Sequence, residues 1–311
     1  MTGTSKSATR VFVAGSTGMV GSALCRRLAS DGYNVLTGPS PRVDLRDQAA
    51  TLRVLNDLQP DWVFVAAAKV GGIYANSAYP ADFIYDNLMI QTNLMHGAYC
   101  IGAKKLMFLG SSCIYPKFAA QPMKEEYLLS GYLEPTNEPY AVAKIAGVMT
   151  ARSYSRQHRA NFISVMPTNL YGPNDNFDLK NAHVVPALMR KMHEAKVRGA
   201  DHVEVWGSGQ PRREFLHVDD LADACVFLME RYDSDEIINV GTGKDIAIGE
   251  LALLIKEIVG FRGVIRFNPS MPDGTPRKLL DVSRLTGLGW RPSISLRDGL
   301  VSTYRWFAAR D

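Results

Sequence analysis

The chain has 311 residues, of which 46% are hydrophobic and 21% charged, with a formal net charge of +4. This is an ordinary globular balance, long enough to bury a large core as one domain or two. The slight positive balance suits an anionic substrate, and without a basic run it gives no sign of a nucleic-acid arm, so no nucleic-acid partner is expected. Cys25, Cys100, Cys113 and Cys225 form no C-x-x-C pair and no zinc-like spacing, which argues against a metal site and a disulfide framework and fits a reducing compartment. The polar start has no apolar signal core behind it, and no run reaches the roughly 18 apolar residues of a membrane span. A cytoplasmic protein with no membrane partner is expected.

In chain order, residues 10–14 (RVFVA) predict a first strand. A helical segment with Val20, Ala23, Leu24 and Leu28 on one face follows, then a second strand at 34–37 (NVLT). Further strands are predicted at 61–67 (DWVFVAA), 105–110 (KLMFLG) and 162–167 (FISVMP). Continuously apolar strands alternating with helices predict an α/β fold, a Rossmann-like doubly wound parallel sheet. From about Tyr171 the texture changes. A loop at 172–176 (GPNDN) precedes a helix at 186–195, and short runs at 202–206, 237–240 and 264–267 sit between Gly/Pro-rich connections. The expected division is a Rossmann domain over 1–170 and a smaller C-terminal mixed α/β domain over 171–311, with segments near 214–243 returning to the first.

Gly15-Ser16-Thr17-Gly18-Met19-Val20-Gly21 follows the first predicted strand and opens the first helix. Glycines there permit a tight turn and let a cofactor pyrophosphate approach the N–H groups of a helix N-terminus. The spacing is G-x-x-G-x-x-G, and such a trio also occurs in plain strand–helix turns. Its place after the first strand of an alternating pattern marks a dinucleotide site. The second predicted strand ends Val35-Leu36-Thr37-Gly38 with no acid, and Arg42 follows. NAD sites favour an acid there and NADP sites a cation, so NADP(H) is the expected cofactor. Arg42 has a plainer reading as a solvated loop charge, and Asp44 reads as an adenine contact.

Tyr140 and Lys144 lie four apart in a helical stretch, 139–150 (PYAVAKIAGVMT), and so share a face. A phenol titrates near pH 10 and needs a neighbouring positive charge to work at neutrality. Lys144, with an oxidised nicotinamide when present, is placed to supply it. Ser111-Ser112, directly after a predicted strand, offers a hydroxyl to a substrate oxygen. Serine, tyrosine and lysine together polarise a carbonyl for hydride transfer.

The glycine motif, a serine before Tyr140-x-x-x-Lys144, and Arg213-Glu214-Phe215-x-His217-Val218-Asp219-Asp220 resemble the extended short-chain dehydrogenase/reductases. The blocks 66–73 (AAAKVGGI), 110–116 (GSSCIYP), 134–140 (EPTNEPY) and 167–173 (PTNLYGP) narrow the resemblance to the GDP-L-fucose synthase family, over nearly the whole chain. That resemblance implies an NADPH-dependent homodimer acting on a GDP-linked keto-sugar. The family epimerises C3 and C5 of GDP-4-keto-6-deoxy-D-mannose and then reduces the C4 ketone. It assigns catalysis to Ser111, Tyr140 and Lys144, with Cys113 as base and His183 as acid; a thiolate beside Lys144 or a cationic histidine would form more readily. It assigns the cofactor to Gly15, Gly18, Met19, Val20, Gly21, Arg42, Ala67, Lys144, Pro167, Asn169, Leu170 and His183. It assigns the substrate to Asn169, Lys180, Lys191, Trp206, Arg213 and Lys278, with Arg213 on the diphosphate. The C-terminal domain would then be mainly substrate-binding and the first domain NADP-binding.

Plainer roles stand beside these. Cys113 also reads as a small buried apolar residue, His183 as a surface or capping residue, Trp206 as core and Arg212 as a surface charge. The chain departs from the family where Ser16-Thr17 replaces a His-Arg pair whose arginine helps hold the NADP phosphate. Residues 38–42 (GPSPR) replace an Arg-rich stretch, and Lys191 replaces an arginine. These departures leave room for another GDP-keto-sugar, a 4-keto-heptose or a dideoxy sugar. A redox-neutral 4-epimerase, a 4,6-dehydratase and a non-catalytic dinucleotide sensor fit the motifs less well.

Overall fold

The computed structural model describes residues 5–36, 38, 43–179, 181–271 and 273–310. Arg42 and Lys180, both expected at the site, lie outside the described residues. The first half alternates β1 (Arg10–Ala14), α1 (Met19–Ser30), β2 (Asn34–Leu36), α2 (Gln48–Leu58), β3 (Trp62–Val65), α3 (Ile73–Ala78), α4 (Pro80–Cys100), β4 (Lys105–Leu109), α5 (Glu138–His158) and β5 (Phe162–Pro167). Next come β6 (Asn169–Tyr171), α6 (Val184–Val197), β7 (His202–Trp206), β8 (Arg212–His217), α7 (Val218–Arg231) and β9 (Ile238–Val240). The chain ends with β10 (Asp245–Ala247), α8 (Ile248–Val259), β11 (Val264–Asn268), β12 (Arg277–Lys278), α9 (Ser283–Gly287) and α10 (Leu296–Ala308).

Six strands form one parallel sheet in the order β2-β1-β3-β4-β5-β9. Side chains alternate across a strand, so successive apolar residues feed opposite faces. On one face Val11, Val13, Phe64, Met107 and Ile163 pack with Leu24 and Leu28 of α1 and Leu221 and Leu228 of α7. On the other, Phe12, Val63, Val65, Leu106 and Phe108 pack with Leu55 of α2, Leu94 and Met95 of α4 and Val148 of α5. Both faces being covered explains why the strands read as unbroken apolar runs: the expected doubly wound architecture. Strand order reverses beside β1, which opens a crevice outside the carboxyl ends of β1 and β3.

The remaining strands are shorter. β8 pairs with β10 antiparallel and with β6 and β12 in parallel, while β7 pairs with β11. They pack with α6, α8 and α10 around Tyr171, Met189, Met192, Phe215, Leu251, Ile255 and Leu300. The buried carboxylate of Glu214 on β8 accepts N–H bonds from Thr242 (2.6 Å), Gly243 (2.7 Å) and Leu280 (2.9 Å), tying these segments together.

The structure trims several predicted strands, 61–67 most of all, and lengthens two predicted helices. The run 61–67 leaves the sheet after Val65, because the backbone at Ala67 crosses closely over Gly15. The helix expected at 139–150 extends to His158, where Arg159 in the left-handed region caps it. The one expected at 186–195 runs Val184–Val197. Among the described residues, no helix is long and apolar enough to cross a membrane, and no group of three or more His, Cys, Asp or Glu is arranged to hold a metal ion.

Candidate active site

At the nucleotide end, β1 delivers the chain to Gly15, whose φ of 85° only glycine adopts readily. A Cβ there would lie 2.8 Å from the Ala67 backbone, and a Cβ on Gly21 would lie 2.0 Å from the Gly15 carbonyl oxygen. Both glycines are therefore required by backbone crossing backbone. Gly18 is the N-cap of α1 and offers no side-chain acceptor, so the first-turn N–H groups at Met19, Val20 and Gly21 remain for an external anion. Beside them is a cavity of about 340 Å³ lined by Gly15, Thr17, Gly18, Ala66–Ala68 and Ile90, with Arg46, Lys69 and Asp86 at its charged side. A glycine cradle, a helix N-terminus and this cavity at the sheet's switch point fit a dinucleotide.

Arg46 was not foreseen. Its guanidinium grips Asp44 (Nε to Oδ1 3.0 Å, Nη2 to Oδ2 2.8 Å) and reaches Asp86 (3.0 Å), which also pairs with Lys69 (3.2 Å). These bonds hold the Asp44 carboxyl down at about 2 and occupy both its oxygens. In the sequence alone Arg46 is indistinguishable from a solvated loop charge.

At the reacting end, α5 presents Tyr140 and Lys144 on one face. Lys144 is buried; its Nζ donates to the Leu109 carbonyl at the end of β4 (2.8 Å) and lies 5.7 Å from the Tyr140 ring centre. Burial brings its pKa down to about 8. Ser111 hydrogen-bonds Tyr140, and its hydroxyl also accepts the Cys113 N–H (3.2 Å). Burial, with Cys113 adding to it, pushes the phenol's pKa above its ordinary value against the Ser111 bond. In the protein alone burial outweighs the Ser111 bond at the phenol, while the Lys144 ammonium is directed to the Leu109 carbonyl.

Cys113 sits in a single helical turn, Ser112–Ile114, and is only partly buried. Its Sγ accepts from Asn137 Nδ2 (3.3 Å) and faces Lys278 Nζ (3.6 Å). That polar setting is not the one an inert apolar cysteine occupies, and it adds Lys278 to the cations considered for the thiol. His183 holds the N-cap position of α6 but makes no side-chain cap bond. The residue is exposed at its surface, with protein packed around the rest of it. That crowding, and then Lys278, depress its pKa, so the free protein favours the neutral ring.

The other expected residues spread over the cleft. Pro167 ends β5, and Asn169 and Leu170 form β6, with Asn169 Nδ2 bonded to the Glu214 carbonyl (2.8 Å). Arg213 stands on β8 in register with Lys278 of β12. Its Nη1 donates to the Arg212 carbonyl (2.8 Å), while Arg212 itself pairs with Asp245 (2.9 Å). Lys191 on α6 lies over the Trp206 ring at 5.3 Å, and Trp206 is 52% exposed, so it is not core. Asn137 and Glu134, from the block 134–140, border the Cys113 pocket. Their signal was position alone, just ahead of Tyr140.

Residues 11–241 match the family described as the NAD dependent epimerase/dehydratase family. The chain is 58% identical to GDP-L-fucose synthase 1 of Arabidopsis thaliana, over 96% of this chain and 93% of that one. A solved GDP-6-OMe-4-keto-L-xylo-heptose reductase from C. jejuni superposes with a TM-score of 0.93 at 37% identity, covering 99% of this chain and 100% of that one. A GDP-L-fucose synthetase from Naegleria fowleri bound to NADP gives a TM-score of 0.91 at 30% identity, covering 99% and 95%.

Proposed function

This chain belongs to the NAD dependent epimerase/dehydratase family, and from that premise we propose that it is a GDP-L-fucose synthase. It epimerises C3 and C5 of GDP-4-keto-6-deoxy-D-mannose and reduces the C4 ketone with NADPH. The observation that carries this reading is the meeting of Cys113, Ser111 and Tyr140 in one cluster, with Lys144 beneath and Lys278 above. The 58% identity to a plant GDP-L-fucose synthase supports the substrate.

Gly15, Gly18, Met19, Val20, Gly21 and Ala67 would hold one end of NADPH, and Lys144, Pro167, Asn169, Leu170 and His183 the other, with Arg42 as a further cation. When bound, NADPH supplies the hydride that reduces the carbonyl. A C4 ketone acidifies the hydrogens on C3 and C5, so inversion needs a base on one face and an acid on the other. Cys113 removes the proton and His183 returns one. The anionic diphosphate, held by Arg213 with Lys180 and Lys191, brings negative charge that favours the protonated ring. Ser111 and Tyr140 hold the C4 oxygen, and Tyr140 gives it a proton. Asn169, Trp206 and Lys278 complete the sugar-nucleotide side.

Residues 1–170 form the NADP-binding unit and 171–311 mainly the substrate unit, with 214–243 returning to the first. The enzyme is a cytoplasmic homodimer. Exposed Tyr85 and Tyr99 on α4 and Val142 and Met149 on the adjacent α5 give an apolar surface that supports self-association. A second reading, C4 reduction of another GDP-keto-sugar without epimerisation, draws on the likeness to the C. jejuni heptose reductase.

The test is NADPH consumption with GDP-4-keto-6-deoxy-D-mannose by wild type and Cys113→Ser, with products identified by NMR. GDP-L-fucose from wild type, with inversion lost in the variant, supports the first reading. NADPH oxidation with C3 and C5 unchanged establishes the second.

A further inference from the structure

Lys278 faces one of the two groups to which proton transfer is assigned and acts by its charge on the other. Its Nζ lies 3.6 Å from Cys113 Sγ, and its charge acts on His183. The other charged groups around the thiol are already engaged. Lys117 pairs with Glu134 (3.0 Å), Arg277 with Asp245, and the Lys144 ammonium with the Leu109 carbonyl. Tyr140, whose hydroxyl shares Ser111 with the Cys113 backbone, stays a neutral phenol. Among the described residues no carboxylate forms an ion pair with Lys278, and the acidic group its ammonium faces is the Cys113 sulfur.

The backbone that carries the ammonium is fixed in place. Lys278 pairs in register with Arg213 of β8, the next N–H donates to Gln121 Oε1 (2.8 Å), and the one after donates to the buried Glu214 carboxylate (2.9 Å). Asn137 Nδ2 supplies a second donor to the same sulfur.

We propose that Lys278 is a positioning residue that holds Cys113 as the thiolate in the substrate-free protein, so that the base is ready before the keto-sugar arrives. A positive charge within about 4–6 Å favours the ionised form of an acid, and hydrogen bonds to that form add to the effect. The thiol proton leaves to solvent, and the ion pair that remains neutralises a cation that otherwise has no partner. The same charge opposes a second cation on His183, so the two groups are driven toward different protonation behaviour by one side chain. This role is distinct from gripping the diphosphate, because it operates without substrate. It rests on the proposed epimerisation only for its purpose.

The test therefore uses the free enzyme. Wild type, Lys278→Met and Lys278→Arg are treated with iodoacetamide across pH about 6 to 10, and the Cys113 peptide is followed by mass spectrometry. Thiolate attack displaces iodide, so the rate reads the ionised fraction. Lys278→Met is expected to move the midpoint of Cys113 alkylation up by about one pH unit, slowing the reaction up to about tenfold below the wild-type midpoint and little above the variant's, with Lys278→Arg close to wild type. Superimposable curves for Lys278→Met and wild type would overturn the proposal. The Cys25, Cys100 and Cys225 peptides in the same digest report on the fold. If all of them react faster in Lys278→Met, that variant has opened and Lys278→Arg decides: wild-type behaviour supports the role, and slow alkylation refutes it. An enzyme that does not epimerise can still show the shift, and one that does can lack it, so the two proposals fail separately.

Discussion

At one end of the cleft the chain fits itself, Gly15 against the Ala67 backbone and Gly21 against the Gly15 carbonyl, so that the surface offered to a cofactor is mostly main chain. At the other end, backbone only delivers side chains, and the chemistry is in Ser111, Cys113, Tyr140, Lys144 and Lys278, drawn from the loop after β4, from α5 and from β12. The first kind of site forbids a Cβ at Gly15 and Gly21, where backbone meets backbone. The second kind tolerates small backbone shifts and depends on single functional groups.

The sharpest contrast should come from the reacting end. Tyr140→Phe removes one oxygen and leaves the packing of the ring against Phe83. It is expected to cut steady-state NADPH oxidation by about 10²–10⁴-fold, the usual worth of a positioned proton donor, with NADPH affinity by fluorescence titration unchanged. A large loss of affinity instead would mean the two ends are not separable. Next in size is Gly21→Ala. Forcing a methyl group against the Gly15 carbonyl costs about 1–3 kcal/mol, so NADPH should bind about 5–150-fold more weakly, while Ser16→Ala changes it little. Equal effects of the two substitutions would break the distinction.

The smallest effect concerns the loop after β6, where Asn174 bonds Ser22 of α1 (3.0 Å) and so joins the two ends. There Asp175 Oδ2 is buried with no partner among the described residues, and burial raises the carboxyl from its ordinary 3.8 to about 7 against the Asn176 N–H bond. The neutral acid is the form the fold favours. Its contribution is complete below about 3.8 and is lost as pH rises through about 7. Melting temperatures of wild type relative to Asp175→Asn should therefore fall across that window and level off above it. A flat difference would place the carboxylate in contact with water or a cation.

The same contrast governs how much could be read before the structure. β1, β4 and β5 were legible because strands covered on both faces must be apolar throughout. The glycine trio was legible because steric exclusion leaves no alternative residue. The helix α4 gave no clear signal, since Asn87, Gln91 and Asn93 point inward and blur its periodicity; Gln91 and Asn93 bond the carbonyls of Ala143, Leu45 and Arg46. Tyr140 and Lys144 were found by local spacing. The approach of Lys278 to Cys113 was not, because the two are 165 residues apart and meet only through the register of β12 on β8. Arg46 was missed for a related reason: its partner Asp86 comes from a helix 40 residues on.

The last strand of the main sheet has a consequence for how the protein is made. β9 pairs with β5, yet the chain builds β6, α6, β7, β8 and α7 before reaching it. As the polypeptide leaves the ribosome, the edge at Val165, Met166 and Pro167 stays open until residue 240 has emerged. The face that α7 covers with Leu221 and Leu228 is uncovered for nearly as long. The cofactor half therefore cannot finish folding first and wait for the rest. Both halves must mature together, and a nascent chain stalled near residue 170 would carry a bare strand edge open to pairing with its neighbours.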